Sequence, residues 1–146
     1  WNKPKETAKA LQNGWVYTGD AGIFDDEGYL YIVDRLKDMV VTGGENVFTT
    51  EVENALISHA AVQDVSVIGI PHDEWGEAVH AIVILHPNQT ATEEELVAHC
   101  RTSIAGYKIP KGFTFRAEPM PLSGAGKVLK TELRKPFWEG RDRQVN

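Results

Sequence analysis

Two charged side chains stand in loops that could work on sugars and phosphates. Asp20 closes Tyr17-Thr18-Gly19-Asp20, and Lys127 closes Pro121-Leu122-Ser123-Gly124-Ala125-Gly126-Lys127. A turn carboxylate can accept two hydrogen bonds from a vicinal diol, the pattern a ribose offers. The plain alternative is an aspartate capping its own backbone. The loop Ser123-Gly124-Ala125-Gly126 is mobile by composition and delivers the Lys127 ammonium; a surface turn lysine is the alternative. It is not a phosphate-binding P-loop, because Pro121 stands at the first glycine position and Val128 follows the lysine. Gly43-Gly44 lets a backbone approach a ligand closely, or simply makes a tight turn. In Tyr107-Lys108-Ile109-Pro110-Lys111 a tyrosine face can stack on a base and two lysines can pair with phosphates. Asp34-Arg35-Leu36-Lys37-Asp38 reads by itself as a solvated charged linker.

The 146 residues that carry these loops suit one domain, or one domain with a piece of another. A hydrophobic content of 42% and a charged content of 25% are ordinary for a globular protein. Residues 1–100 hold 5 Lys+Arg against 17 Asp+Glu, whereas residues 101–146 hold 10 against 4. The basic third could attract a phosphate-rich partner or be a solvated surface. Nucleic acid is excluded as a partner by the acidic remainder and the lack of a recognition motif. Cys100, the single cysteine, sits in an apolar helical pattern and reads as a buried structural thiol in a reducing compartment. His59, His72, His80, His86 and His99 form no metal-ligand spacing and read as surface or turn residues. No signal peptide or membrane span is visible. The opening Trp1-Asn2-Lys3-Pro4, without an initiator Met, predicts a piece of a longer protein.

The elements that must position these loops follow from periodicity and turn chemistry. A short helical stretch ends at Asn13-Gly14. Trp15–Thr18 and Tyr29–Val33 read as paired or neighbouring strands around the turn Phe24-Asp25-Asp26-Glu27-Gly28. Met39–Val41 is a brief strand. A helix follows from Thr50, with Thr50-Glu51-Val52-Glu53 as its capping box. Val62–Ile70 and Ala78–Leu85 predict an antiparallel pair across Pro71-His72-Asp73-Glu74-Trp75-Gly76. A second capped helix runs from Thr92 to Ile104, its acidic first turn suiting the helix dipole. Phe113–Ala117 is a third strand, and Thr131–Trp138 a terminal helix. The fold class is α+β, a small mixed or antiparallel sheet covered by helices and preceded by a β-hairpin strip. The boundary falls within Asp34–Asp38.

Tyr17-Thr18-Gly19-Asp20, Asp34-Arg35-Leu36-Lys37-Asp38 running into Thr42-Gly43-Gly44-Glu45-Asn46-Val47, and Pro121 through Lys127 occur in this order. Together they resemble the last part of the adenylate-forming, AMP-forming acyl-CoA synthetases. The resemblance covers nearly the whole chain. It implies that residues 1–36 end a large N-terminal adenylation domain and that residues 37–146 are a mobile C-terminal domain. It implies that Asp20 and Arg35 contact ATP or AMP, that Lys37 is the hinge, and that Lys127 is the catalytic lysine of adenylation. Gly43 and Gly44 would lie along the pantetheine arm of CoA, with Tyr107, Lys108 and Lys111 toward its nucleotide. The last match is looser, since Ile109 stands where some relatives carry Arg.

The resemblance implies a cytoplasmic ligase that activates a carboxylic acid, by default a fatty acid, with ATP and Mg2+ and passes it to CoA. The acid pocket and the Mg2+ ligands would lie in the missing N-terminal domain, and this piece alone would be inactive. Alternatives left open are a non-catalytic regulatory or interaction module of the same fold, or an adenylation domain of another superfamily branch. Oligomeric state is not readable. Lys127 is open to acylation, which would remove the charge that adenylation needs.

Overall fold

In the computed structural model, which describes residues 2–141, the chain divides into two compact units between Lys37 and Asp38. The first begins with helix α1 (Pro4–Ala10), where Pro4 loses nothing because a first-turn amide has no intrahelical acceptor. Asn13 and Gly14 then take φ of 52° and 80°, the left-handed pair a two-residue hairpin turn requires. They fold β2 (Trp15–Val16) back onto β1 (Leu11–Gln12). Of the two expected arrangements, direct pairing of Trp15–Thr18 with Tyr29–Val33 does not occur, because the Asn-Gly turn captures the first strand locally.

The hairpin of this unit pairs β3 (Asp20–Phe24) with β4 (Leu30–Arg35), placing Asp20 opposite Arg35. Its turn is built by Asp25, whose Oδ1 accepts the amides of Tyr29 (2.8 Å) and Glu27 (3.0 Å), while Gly28 supplies φ of 87°. These bonds, the Tyr29 amide foremost, hold the Asp25 carboxyl below the usual carboxylate range.

The second unit is a five-stranded mixed sheet. β7 (Val62–His72) and β8 (Gly76–Leu85) form its long antiparallel hairpin. β9 (Gly112–Phe115) lies parallel to β8. β5 (Val40–Thr42) meets β8 at Thr42–Gly76 and carries β6 (Glu45–Val47). Pro71 is tolerated because β7 is an edge strand.

Alternation along β7 and β8 divides the apolar residues between two faces. Val65, Val67, Val79, Ala81 and Val83 pack with Val52 and Leu56 of helix α2 (Thr49–Ile57) and Leu96 and Cys100 of helix α3 (Glu93–Cys100). Ile68 and Ile82 pack with Leu133 and Phe137 of helix α4 (Lys130–Trp138). Leu56, Ile68 and Leu96 are fully buried, each stabilising the fold by roughly 1.5–3 kcal/mol. The α+β class with helices over a small sheet is as the sequence predicts.

Three details differ from expectation. Helix α2 starts at Thr49 with Phe48 as an uncapped N-cap, so Thr50–Glu53 is not its capping box. Glu53 instead accepts the Val67 amide at 2.8 Å and pairs with Lys130 at 2.7 Å, tertiary partners that outcompete the local cap. Helix α3 keeps its box, Thr92 with Glu95, but ends at Cys100 rather than Ile104. His80 is neither a surface nor a turn residue. It lies in β8, 6% exposed, with Nε2 2.8 Å from Thr114 Oγ1 and its ring 4.8 Å from that of Phe137. Burial pushes its pKa down from 6.5. Cys100 is fully buried as expected, and its thiol is pushed up.

Candidate functional site

Asp20 is positioned by the start of its hairpin. Gly19 turns the chain at φ of 79°, the Thr18 hydroxyl accepts the Asp20 amide at 3.2 Å, and the Leu36 amide donates to the Gly19 carbonyl at 2.9 Å. The strand register sets Arg35 opposite, its Nε 3.9 Å from Asp20 Oδ1. This loose, part-exposed pair contributes little to stability. It leaves an acceptor and a guanidinium side by side at an open cleft of about 490 Å³, lined by Thr18, Gly19, Asp20, Arg35, Leu36 and Lys37. Diol and phosphate oxygens are the groups such a pair can hold.

The Lys127 loop is closed by its own hydrogen bonds. The Ser123 amide donates to the Lys127 carbonyl (2.8 Å), the Gly126 amide to the Ser123 carbonyl (2.9 Å), and the Leu129 amide to the Pro121 carbonyl (2.8 Å). Ser123 Oγ accepts the Lys127 amide at 3.1 Å, and Leu122 bridges Val128. Gly126 at φ of 74° closes the turn. Ser123 thus closes the loop through both its backbone and its hydroxyl. Lys127 is exposed, and among the described residues its ammonium makes no ion pair. Lys130, three residues on, roots the loop by donating to Thr49 Oγ1 (2.6 Å) and pairing with Glu53.

A second group gathers around the turns of β5–β6 and β7–β8. Gly43 and Gly44 take φ of 58° and 85°, and the Gly43 amide donates to the Trp75 carbonyl at 3.0 Å. The Trp75 ring stacks on His72 at 4.2 Å, and the Lys111 ammonium lies 5.5 Å from the Trp75 ring centroid. Gly43 and Lys111 are thereby brought together by Trp75, which the sequence reading missed. Its signal was a tryptophan inside the polar turn Asp73-Glu74-Trp75-Gly76.

Lys108 does not join this group through its charge. Its ammonium meets both Glu51 oxygens at 2.7 Å, and this bond raises its pKa above the usual lysine value. It also lies 5.7 Å from the Tyr107 ring centroid, in a 3-10 turn spanning Gly106–Lys108. Among the described residues no cluster of three or more His, Cys, Asp or Glu could hold a metal ion, and no helix is long and apolar enough to cross a membrane.

The fold is that of adenylate-forming ligase domains. The chain belongs to the AMP-binding enzyme C-terminal domain family, which matches residues 51–127. It is 49% identical over 137 residues to the long-chain-fatty-acid–CoA ligase FadD13 of Mycobacterium tuberculosis, covering 94% of this chain and 27% of that protein. The o-succinylbenzoate CoA synthetase (MenE) of Bacillus subtilis, solved with its acyl-adenylate intermediate, superposes with a TM-score of 0.84 at 38% identity, over 90% of this chain and 27% of that one. The ATP-bound MatB of Rhodopseudomonas palustris superposes at 0.86 and 33% identity, over 94% and 27%. The chain thus spans about a quarter of the length of the curated relatives it matches.

Proposed function

We propose that this chain is the moving C-terminal part of an AMP-forming acyl-CoA ligase. The whole enzyme joins a carboxylate to the α-phosphate of ATP, releasing pyrophosphate. The CoA thiol then attacks the acyl carbon and AMP leaves. The partner of this chain is the N-terminal domain of the same enzyme, which holds the acid. A fatty acid is the favoured substrate, since the 49% identical relative is named for one. The reading assigns the enzyme to the cytoplasm, the compartment that supplies ATP and CoA together.

The observation that carries the reading is Lys127, an exposed cation at the end of a hydrogen-bonded loop. Adenylation brings two anions together, and a lysine between them offsets their repulsion and stabilises the charge that develops. Asp20 would accept the ribose hydroxyls, with Arg35 beside it for ribose or phosphate. ATP enters with Mg2+ on its phosphates. Lys37, at the division between the two units, would be the hinge. After rotation Gly43 and Gly44 would line the pantetheine path, with Trp75 and Lys111 beside them. Tyr107 and Lys108 would face the CoA nucleotide; Lys108 would share its charge with Glu51.

The test is Lys127→Ala in the full-length protein that carries this chain. Pyrophosphate release is followed with a panel of fatty and aryl acids, and thioester formation from supplied acyl-adenylate. Loss of the first step with the second retained supports the reading. Equal rates in both steps for the variant and wild type would remove Lys127 from the chemistry.

A further inference from the structure

The division between the two units falls after Lys37, yet the next residue is tightly held. Arg134 of α4 engages Asp38 twice. Its Nη1 lies 3.1 Å from Asp38 Oδ1, and its Nη2 donates to the Asp38 carbonyl oxygen at 3.2 Å. Both side chains are largely buried, 8% and 13% exposed. A guanidinium fork that grips the side chain and the main chain of one residue fixes the position and the direction of the backbone there. Lysine at 134 would reach only one of the two acceptors.

Arg134 stands one helical turn beyond Lys130, so both lie on the same face of α4. Lys130 holds Glu53 and Thr49 of α2 and roots the Lys127 loop. One helix face therefore ties Asp38 to the loop that carries Lys127.

We propose that Arg134 is a positioning residue that makes Asp38 the fixed end of the hinge. This rests on the ligase reading. The clamp confines backbone rotation to the Lys37 side of Asp38. The Lys127 loop and the Gly43–Trp75 turn are then carried as one body by the same few torsions. A hinge with a sharp edge defines two end orientations, whereas a frayed one spreads the unit over many.

Two measurements test this. The first is amide hydrogen exchange on the 146-residue chain, comparing wild type with Arg134→Met and Arg134→Lys. The clamp predicts at least tenfold faster exchange over residues 38–40 in Arg134→Met, with Arg134→Lys between. Protection at Val67 and Ala81 should persist and shows that the variants fold. The second is steady-state thioester formation by the full-length protein. A loosened hinge predicts a roughly tenfold lower kcat in Arg134→Met, with KM for acid and ATP within about twofold.

Unchanged exchange over residues 38–40 would overturn the clamp. Faster exchange with an intact kcat would overturn its part in the hinge. If the wild-type full-length protein fails to release pyrophosphate with every acid of the panel, the ligase reading falls and the hinge role with it. The exchange data would still show whether Arg134 clamps Asp38.

Discussion

The Lys130 ammonium lies 2.7 Å from Glu53 Oε1 and 2.6 Å from Thr49 Oγ1, only three residues after Lys127. Glu53 also accepts the Val67 amide. This pair joins helices from the two faces of the sheet to its edge strand and anchors the loop that presents Lys127. Both side chains are mostly buried, at 13% and 20% exposure, so a lone survivor would be a poorly solvated charge.

Lys130→Met should therefore destabilise the fold by about 2 kcal/mol, the cost of a mostly buried carboxylate that has lost its cation. Urea unfolding measures it. Glu53→Gln should cost less, because the amide oxygen can still accept the Val67 amide. Equal, near-zero effects in both would show that the pair is immaterial to stability.

Lys127→Ala should leave stability within about 0.5 kcal/mol, since the side chain is exposed and its loop bonds run through the backbone and Ser123. Adenylation by the full-length protein should fall at least about a hundredfold, the scale seen when one preorganised charge contact is lost. Ser123→Ala should lower the same step by a smaller factor, about tenfold, by loosening the turn. Single-turnover pyrophosphate release distinguishes the two.

Gly44→Ala meets no neighbour within 4 Å of the added carbon, so its cost is backbone strain at φ of 85°, about 1 kcal/mol. Thioester formation from supplied adenylate should fall more than pyrophosphate release. Trp75→Ala should act on the same step, mainly through KM for CoA. Equal losses in both steps would count against a CoA path along this turn.

His80 gives a pH dependence of known sign. Its native pKa lies below 6.5, because burial disfavours the imidazolium. Below pH 6.5 the unfolded chain binds a proton that the native protein does not. Stability therefore falls as pH drops from 6.5 toward the native pKa, by at most about 1.4 kcal/mol per unit. His80→Gln should flatten this slope between pH 6.5 and 5 while leaving others unchanged. Identical slopes for wild type and variant would show that His80 titrates normally.

Cys100 is fully buried with a raised thiol pKa. A thiol reagent at pH 8 should react with it only as fast as the protein opens, and at once in denaturant. Rapid labelling of the native chain would contradict that burial.

Local signals carried far in this chain. Alternation in Val62–Ile70 and Ala78–Leu85 marks two strands that the structure pairs, and Thr92-x-x-Glu95 is a real capping box, because both depend on neighbours in sequence. The Thr50–Glu53 box failed because Lys130 and Val67, distant in sequence, claim Glu53. The strand at Trp15 pairs back onto Leu11–Gln12 because Asn13-Gly14, which reads as a helix end, forms a hairpin turn. Asp20, Gly43 and Lys127 are visible as candidates because glycine turns and charges flag themselves, whereas Lys37 is singled out only by the family resemblance.

The sequence by itself determined the order of the elements, the loops that present the candidate residues and the α+β class, since these follow from periodicity and turn chemistry. Tertiary structure alone decided the partners. It set Trp75 between Gly43 and Lys111, tied Lys108 to Glu51, buried His80 and brought Arg134 onto Asp38. Such contacts join residues tens of positions apart. They exist only once the sheet has closed, which is why no local pattern announces them.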